Sequence, residues 1–111
     1  MTETFHLALR DEWVAQENAE TYAPEPFERE GFIHCTDGEA NVVAVGNRYY
    51  RSDSRPFVCL VINVGQVEAP IKYEDADRIY PHIYGRLNNS AVIGVREVRR
   101  DEQGVFLELG E

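Results

Sequence analysis

The stretch Phe57-Val58-Cys59-Leu60-Val61-Ile62-Asn63-Val64 decides the fold class. It is apolar on both faces and short, which is the pattern of a central strand covered on both sides. A run of this length is far too short to span a bilayer. Downstream, the chain reads as strands joined by loops. Ile71-Lys72-Tyr73-Glu74 alternates, with Ile71 and Tyr73 pointing one way and Lys72 and Glu74 the other. Asp75 to Pro81 reads as a loop, and Pro81-His82-Ile83-Tyr84-Gly85 as extended chain or a turn. Val92 to Arg100 and Val105 to Leu109 read as a hairpin across Asp101-Glu102-Gln103-Gly104. These connections are too short for crossover helices. They favour an α+β fold with a mixed, mostly antiparallel sheet over a doubly wound one.

Upstream, Phe5 to Leu9 reads as a first strand. Asp11 is placed to cap a short helix holding Trp13, Val14 and Ala15. That helix ends before Thr21, because Ala23-Pro24-Glu25-Pro26 follows and proline stops it. Phe32 to Thr36 reads as a second strand, with Ile33 and Cys35 on an apolar face and Phe32, His34 and Thr36 on the other. A second helix follows, capped by Thr36 or Asp37. Its apolar stripe runs through Val42, Val45 and Tyr49, flanked by Val43 and Tyr50. The expectation is about six strands and two helices, both helices in the N-terminal half.

At 111 residues the chain has room for one domain. Five Phe, six Tyr and one Trp exclude disorder over most of its length. Lys and Arg number 11 against 20 Asp and Glu, a formal charge of −9. This acidic chain lacks the basic face that nucleic acids require, and it is repelled by anionic membrane surfaces. The opening MTETFHLALRDEW has neither the basic start nor the apolar run of a signal peptide. Cys35 and Cys59 stand alone among apolar residues with no CxxC pair. That argues for reduced, buried thiols and a cytoplasmic protein, against a structural zinc site.

The sequence has no GxGxxG, GxxxxGK[ST], GxSxG or HExxH. The common phosphate loops and the serine hydrolase elbow are therefore excluded. What remains is a set of polar residues on strands. His34 and Thr36 lie roughly 6.5–7 Å apart along one strand face. Glu74 occupies the polar face of another strand. His82 and Tyr84 follow Pro81, which pins the backbone, and Arg86 takes the next step on the same side. On neighbouring strands, these groups would converge on one cleft. Taken singly, each has a structural reading: His34 a satisfied strand histidine, Thr36 a helix cap, Glu74 a solvated carboxylate, Tyr50 a core ring. His34, His82 and Glu74 also make the two-His, one-carboxylate set that suits non-haem iron or zinc. A non-catalytic ligand-binding or interaction module is the remaining class.

Gly31-Phe32-Ile33-His34-Cys35-Thr36 and Pro81-His82-Ile83-Tyr84-Gly85 carry a resemblance. Trp13, Lys72-Tyr73-Glu74, Ala91-Val92 and Gly104-Val105-Phe106 add to it. Together they resemble the bacterial family 952 among the domains of unknown function, over nearly the whole chain. That family looks like a compact relative of the ADP-ribosyltransferase-like superfamily. The resemblance implies a split, mixed β core around an NAD cleft. It implies that His34 and Thr36 hold the nicotinamide ribose and that Glu74 orients the ribose 2′-hydroxyl and steadies an oxocarbenium-like transition state. Tyr84 or Tyr50 would stack on nicotinamide. Apart from the resemblance, Phe32, His82, Arg48 and Arg86 are further candidate ligand contacts, from their place in or beside the motifs.

The residue types suit that chemistry. A carboxylate stabilises the positive charge that develops on the sugar when the nicotinamide–ribose bond breaks, and a histidine moves a proton near neutral pH. Arg48, Arg51, Lys72 and Arg86 flank the motifs and would screen an anionic ligand. The expectation is thus a small protein that binds NAD or a related nucleotide, with ADP-ribosyl transfer or NAD-glycosidic cleavage as its enzymatic form.

Overall fold

The computed structural model describes residues 2–111. Its first half runs β1 (Glu3–Leu9), α1 (Arg10–Gln16), β2 (Thr21–Tyr22), α2 (Phe27–Glu30), β3 (Ile33–His34) and α3 (Glu39–Tyr49). The second half runs β4 (Phe57–Asn63), β5 (Ile71–Tyr73), β6 (Pro81–Ile83), β7 (Leu87–Asn88), β8 (Val92–Arg100) and β9 (Phe106–Leu109), with single 3₁₀ turns at Val64–Gln66 and Asn89–Ala91. Among the described residues there are thus nine strands and three α-helices, where about six and two were expected. Every strand pairing is antiparallel. The α+β class with a mostly antiparallel core holds.

β4 lies between β1 and β8 in a four-stranded sheet of order β1-β4-β8-β9. Residues 57–62 are all buried. Strand alternation sends Val58, Leu60 and Ile62 into one apolar cluster with Trp13, Tyr22, Ile33, Ile83 and Leu87. It sends Cys59 and Val61 into a second cluster with Phe5, Val42 and Leu109. The strand therefore joins two cores, which is why it is apolar on both faces. The other pairings are smaller: a three-stranded sheet of order β3-β6-β5 and a two-stranded β2-β7 ladder.

The segment expected as one strand over 32–36 serves two sheets. Ile33 and His34 pair with β6, and Thr36 then forms a single bridge with Phe5 of β1, with N–H···O distances of 2.8 and 3.0 Å. This splice swings the three-stranded sheet against the edge of the larger one.

Three local expectations are corrected. Asp11 lies in the first turn of α1 rather than capping it; Leu9 is the N-cap residue and makes no side-chain cap bond. Neither Thr36 nor Asp37 caps α3, whose N-cap is Gly38; the Asp37 carboxylate accepts the Tyr73 hydroxyl instead. Tyr49 is 65% exposed rather than part of the buried stripe. The contact line of α3 runs through Val42 and Gly46, because Phe106 of β9 approaches Gly46 so closely that a Cβ there would lie 2.4 Å from its ring. No helix of the described residues is long and apolar enough to cross a membrane.

Candidate functional site

Antiparallel register builds a polar face on the three-stranded sheet. His34 of β3 stands opposite His82 of β6, which stands opposite Lys72 of β5. Alternation buries Ile33 and Ile83 and leaves the imidazoles on the outer side. Phe32 stacks on His82 with ring centroids 4.2 Å apart and planes 18° from parallel. The His34 ring meets His82 edge-on at 5.2 Å, and Tyr84 lies 5.3 Å from Phe32. Lys72 Nζ sits 5.2 Å from the centre of the Tyr84 ring.

Carboxylates orient both histidines. Nδ1 of His82 is 3.1 Å from Glu74 Oε1, which also accepts the Tyr84 hydroxyl. The acceptor requires the proton on His82 Nδ1 and leaves Nε2 available. The Tyr84 hydroxyl, and after it His82, holds Glu74 below the usual carboxylate range; the same bond to Glu74 raises the Tyr84 phenol. On the neighbouring strand, His34 Nε2 lies 3.2 Å from Glu30 Oε1.

Beside this face is a cavity of about 420 Å³. It is walled by β1, the start of α1, residues 24–30, the 32–36 segment, the end of α3 and the loop into β4. Phe32, Tyr50 and Phe57 give it aromatic surface. Its ionisable wall is dominated by Asp11, Glu12, Glu25, Glu30 and Asp53. The one guanidinium there, Arg55, is committed to Asp53 through bonds of 3.0 and 2.7 Å, which pull the Asp53 carboxyl down to about 2.

His6, on β1, reaches the cavity from below and was not singled out in the sequence. Its Nδ1–H donates to the His34 carbonyl at 2.6 Å, and the buried Tyr22 hydroxyl donates to its Nε2 at 3.0 Å. Burial lowers its pKa to about 4. His6 is therefore neutral at pH 7 and holds the backbone beneath His34 in place. The available signal was a single imidazole inside the otherwise apolar run Phe5-His6-Leu7-Ala8-Leu9.

Of the residues expected at a site, His34, Thr36, Phe32 and Tyr50 line the cavity. His82, Glu74 and Tyr84 lie on the adjoining face, joined to it through the contact between the two imidazoles. Thus His34 and Glu74 share one surface, but with His82 between them. Arg86 turns away, donating to Thr21 Oγ1 at 2.9 Å and Gln16 Oε1 at 3.1 Å. Arg48 lies over the Tyr49 ring at 5.9 Å. The iron or zinc alternative is not met by the geometry. Among the described residues no three His, Cys, Asp or Glu side chains assemble a metal-holding group. His34 and His82 each engage a different carboxylate, Glu30 and Glu74.

Comparison with known proteins places these features in a family. The model of a protein family described as "Protein of unknown function (DUF952)" matches residues 7–95. No curated protein matches the chain. Among solved structures, the crystal structure of protein CC0527 from Caulobacter crescentus is similar at 22% identity and a TM-score of 0.80, over 96% of this chain and 94% of that one. A double mutant of the same protein gives the same values. Its solution structure matches with a TM-score of 0.71 and 22% identity, over 95% and 91% of the two chains. These likenesses show a shared fold.

Proposed function

The chain belongs to the DUF952 family of proteins of unknown function, and from its geometry we propose that it binds a small organic ligand through a flat, positively charged ring seated in the cavity of about 420 Å³. One observation carries this reading: among the described residues five carboxylates and three aromatic rings line the cavity, and while Glu25 and Asp53 are paired with Arg29 and Arg55, Asp11, Glu12 and Glu30 form no ion pair with an arginine. Carboxylates attract a cation, and so do the faces of Phe and Tyr rings. A bare phosphate is repelled at the same place. The volume falls within the roughly 300–1,000 Å³ of ordinary small-molecule sites.

The nicotinamide end of NAD, or of a related nucleotide, belongs to this ligand class, because its pyridinium ring carries a full positive charge. This is the form in which the ADP-ribosyltransferase-like reading fits the site. His34 and Thr36 flank the ring and its ribose, while Phe32 and Tyr50 contact its faces. Glu74 acts as a positioning residue that holds His82. In an ADP-ribosyl transfer or glycosidic cleavage, the bond from pyridinium nitrogen to ribose breaks and its electron pair returns to the nicotinamide nitrogen. Positive charge then develops on the ribose, where the acidic wall stabilises it until water or another acceptor forms the new bond. Binding without catalysis needs only the cavity. The two free, buried thiols of Cys35 and Cys59 fit a reducing, cytoplasmic setting.

Amide shifts of the ¹⁵N-labelled protein test the reading. 1-Methylnicotinamide, methylated on the ring nitrogen and therefore a pyridinium cation (here N-methylnicotinamide), is expected to shift residues 32–36 and Tyr50 at lower concentration than neutral nicotinamide. ADP-ribose, which keeps the ribose but lacks the ring, is expected to shift these amides less than N-methylnicotinamide does. Absence of any shift with N-methylnicotinamide at millimolar concentration, or equal shifts with ADP-ribose, overturns it.

A further inference from the structure

A second hollow, of about 560 Å³, adjoins the first. Pro56 and Phe57 line both. The wall between them is made of two strips of chain, tied by the bond from the Arg10 N–H to the Pro56 carbonyl at 2.9 Å. Along these strips, neighbouring residues serve opposite sides. Leu9 and Asp11 line the first hollow and Arg10 the second; Asp53 and Arg55 line the first, Ser52 and Ser54 the second.

The two hollows differ in charge. Arg29, Arg55, Arg96 and Arg99 are taken up in ion pairs. Of the six arginines that form no ion pair among the described residues, Arg10, Arg51 and Arg100 line the second hollow, whereas Arg48, Arg78 and Arg86 lie elsewhere. Arg100 is held rigid by neutral partners. It donates to the carbonyls of Tyr50, Arg51, Arg55 and Gly104 at 3.1–3.3 Å and lies 4.4 Å from the Phe106 ring centre. Asp101 and Glu102 oppose this charge. Asp101 Oδ1 is engaged by the N–H groups of Gln103 and Val105. Three guanidinium groups, of which Arg100 is already bonded to carbonyls, and two serine hydroxyls face two carboxylates here, which gives the hollow a net basic lining in a chain of formal charge −9.

We propose that this second hollow receives a phosphate of the same ligand whose cationic ring occupies the first. The ligand is then a nucleotide bearing charges of both signs, with its phosphate crossing the Pro56 wall. This inference rests on the ring site proposed above. It also accounts for how a phosphate ester can bind beside an acidic cavity: the phosphate never enters it.

Three probes separate the parts: N-methylnicotinamide, inorganic phosphate and nicotinamide mononucleotide. The mononucleotide is expected to bind about ten-fold or more tightly than either fragment, and to weaken as salt is raised. It is expected to shift residues 32–36 and 51–54 together. Arg51→Ala, at an exposed side chain, is expected to weaken the mononucleotide about ten-fold and leave N-methylnicotinamide unchanged. Arg10→Ala provides the same comparison from the other strip of the wall. Unchanged mononucleotide affinity in both variants, or still amides at 51–54 while 32–36 shift, overturns the proposal. If phosphate shifts 51–54 in an Arg51-dependent manner while N-methylnicotinamide leaves 32–36 still, the ring site is what fails, and the joint ligand falls with it.

Discussion

The hydroxyl of Tyr22 donates to Nε2 of His6 at 3.0 Å, and the two rings meet edge-on with centroids 5.6 Å apart. Both side chains are buried, and the far nitrogen of the same imidazole holds the His34 carbonyl. A line of hydrogen bonds thus runs from the apolar core to the backbone of the candidate site. Tyr22→Phe keeps the ring and its contact with Trp13 but leaves His6 Nε2 without its donor. The expected loss is roughly 1–3 kcal/mol of stability in denaturant unfolding. No loss would mean that the bond contributes nothing to the fold.

The same histidine sets a pH dependence. Burial lowers its pKa in the folded protein to about 4, from 6.5 when exposed. A proton therefore binds the unfolded chain more tightly, and stability rises with pH across this interval. The contribution is complete above about pH 6.5 and is lost as the pH falls towards 4. It amounts to roughly 3 kcal/mol on an order-of-magnitude scale. Urea unfolding at a series of pH values checks this. The His6 ring resonances in the folded protein should show no protonation until the pH approaches 4.

Glu74 and Tyr84 provide an independent titration. The bond to Glu74 is the largest influence raising the Tyr84 phenol. In Glu74→Gln the negative acceptor is gone, so Tyr84 should ionise at a lower pH than in the parent protein. Folding should change little, because the pair is solvent-exposed. Ultraviolet titration of the tyrosines, with Tyr84→Phe to identify the phenol, reads this directly. An unchanged Tyr84 titration would show that the hydrogen bond does not persist in solution.

Gly46 tests the packing of α3 on β9. An alanine Cβ would come within 2.4 Å of the Phe106 ring, which also packs against Phe57 at 5.9 Å and the Arg100 guanidinium. Gly→Ala within a helix ordinarily gains about 1 kcal/mol. Here the overpacking, typically about 1–3 kcal/mol, exceeds that gain. Gly46→Ala should therefore lower the melting temperature.

What could be read from the residues follows from how local each signal is. β4 was legible because both of its faces meet a core, so every residue from Phe57 to Ile62 is constrained. The β2-β7 ladder was not, since two residues per strand carry no periodicity. The end of the α3 stripe failed at Tyr49 because a glycine, Gly46, makes the close contact that a large apolar residue would normally make. The polar face was legible as two His-containing motifs, but its geometry depends on the pairing of His34 with His82, which are remote in sequence. The acidic cavity was hidden for a related reason. Its carboxylates come from α1, the proline turn, the end of α2 and the loop after α3, and no short motif contains them.

His34 separates a site from a structural network. Its side chain is 56% exposed, and the carboxylate its Nε2 meets, that of Glu30, is also open to solvent. Had the imidazole been a buried structural link, His34→Ala would remove roughly 1–3 kcal/mol by leaving a partner unmatched. The observed exposure instead predicts a change within about 0.5 kcal/mol. The backbone carbonyl of residue 34, which His6 engages, survives the substitution. Affinity for N-methylnicotinamide should nevertheless fall, because the imidazole borders the cavity. Calorimetric melting and the amide titration together read both effects. A large drop in melting temperature with unchanged ligand affinity would assign His34 to the fold and remove it from the site.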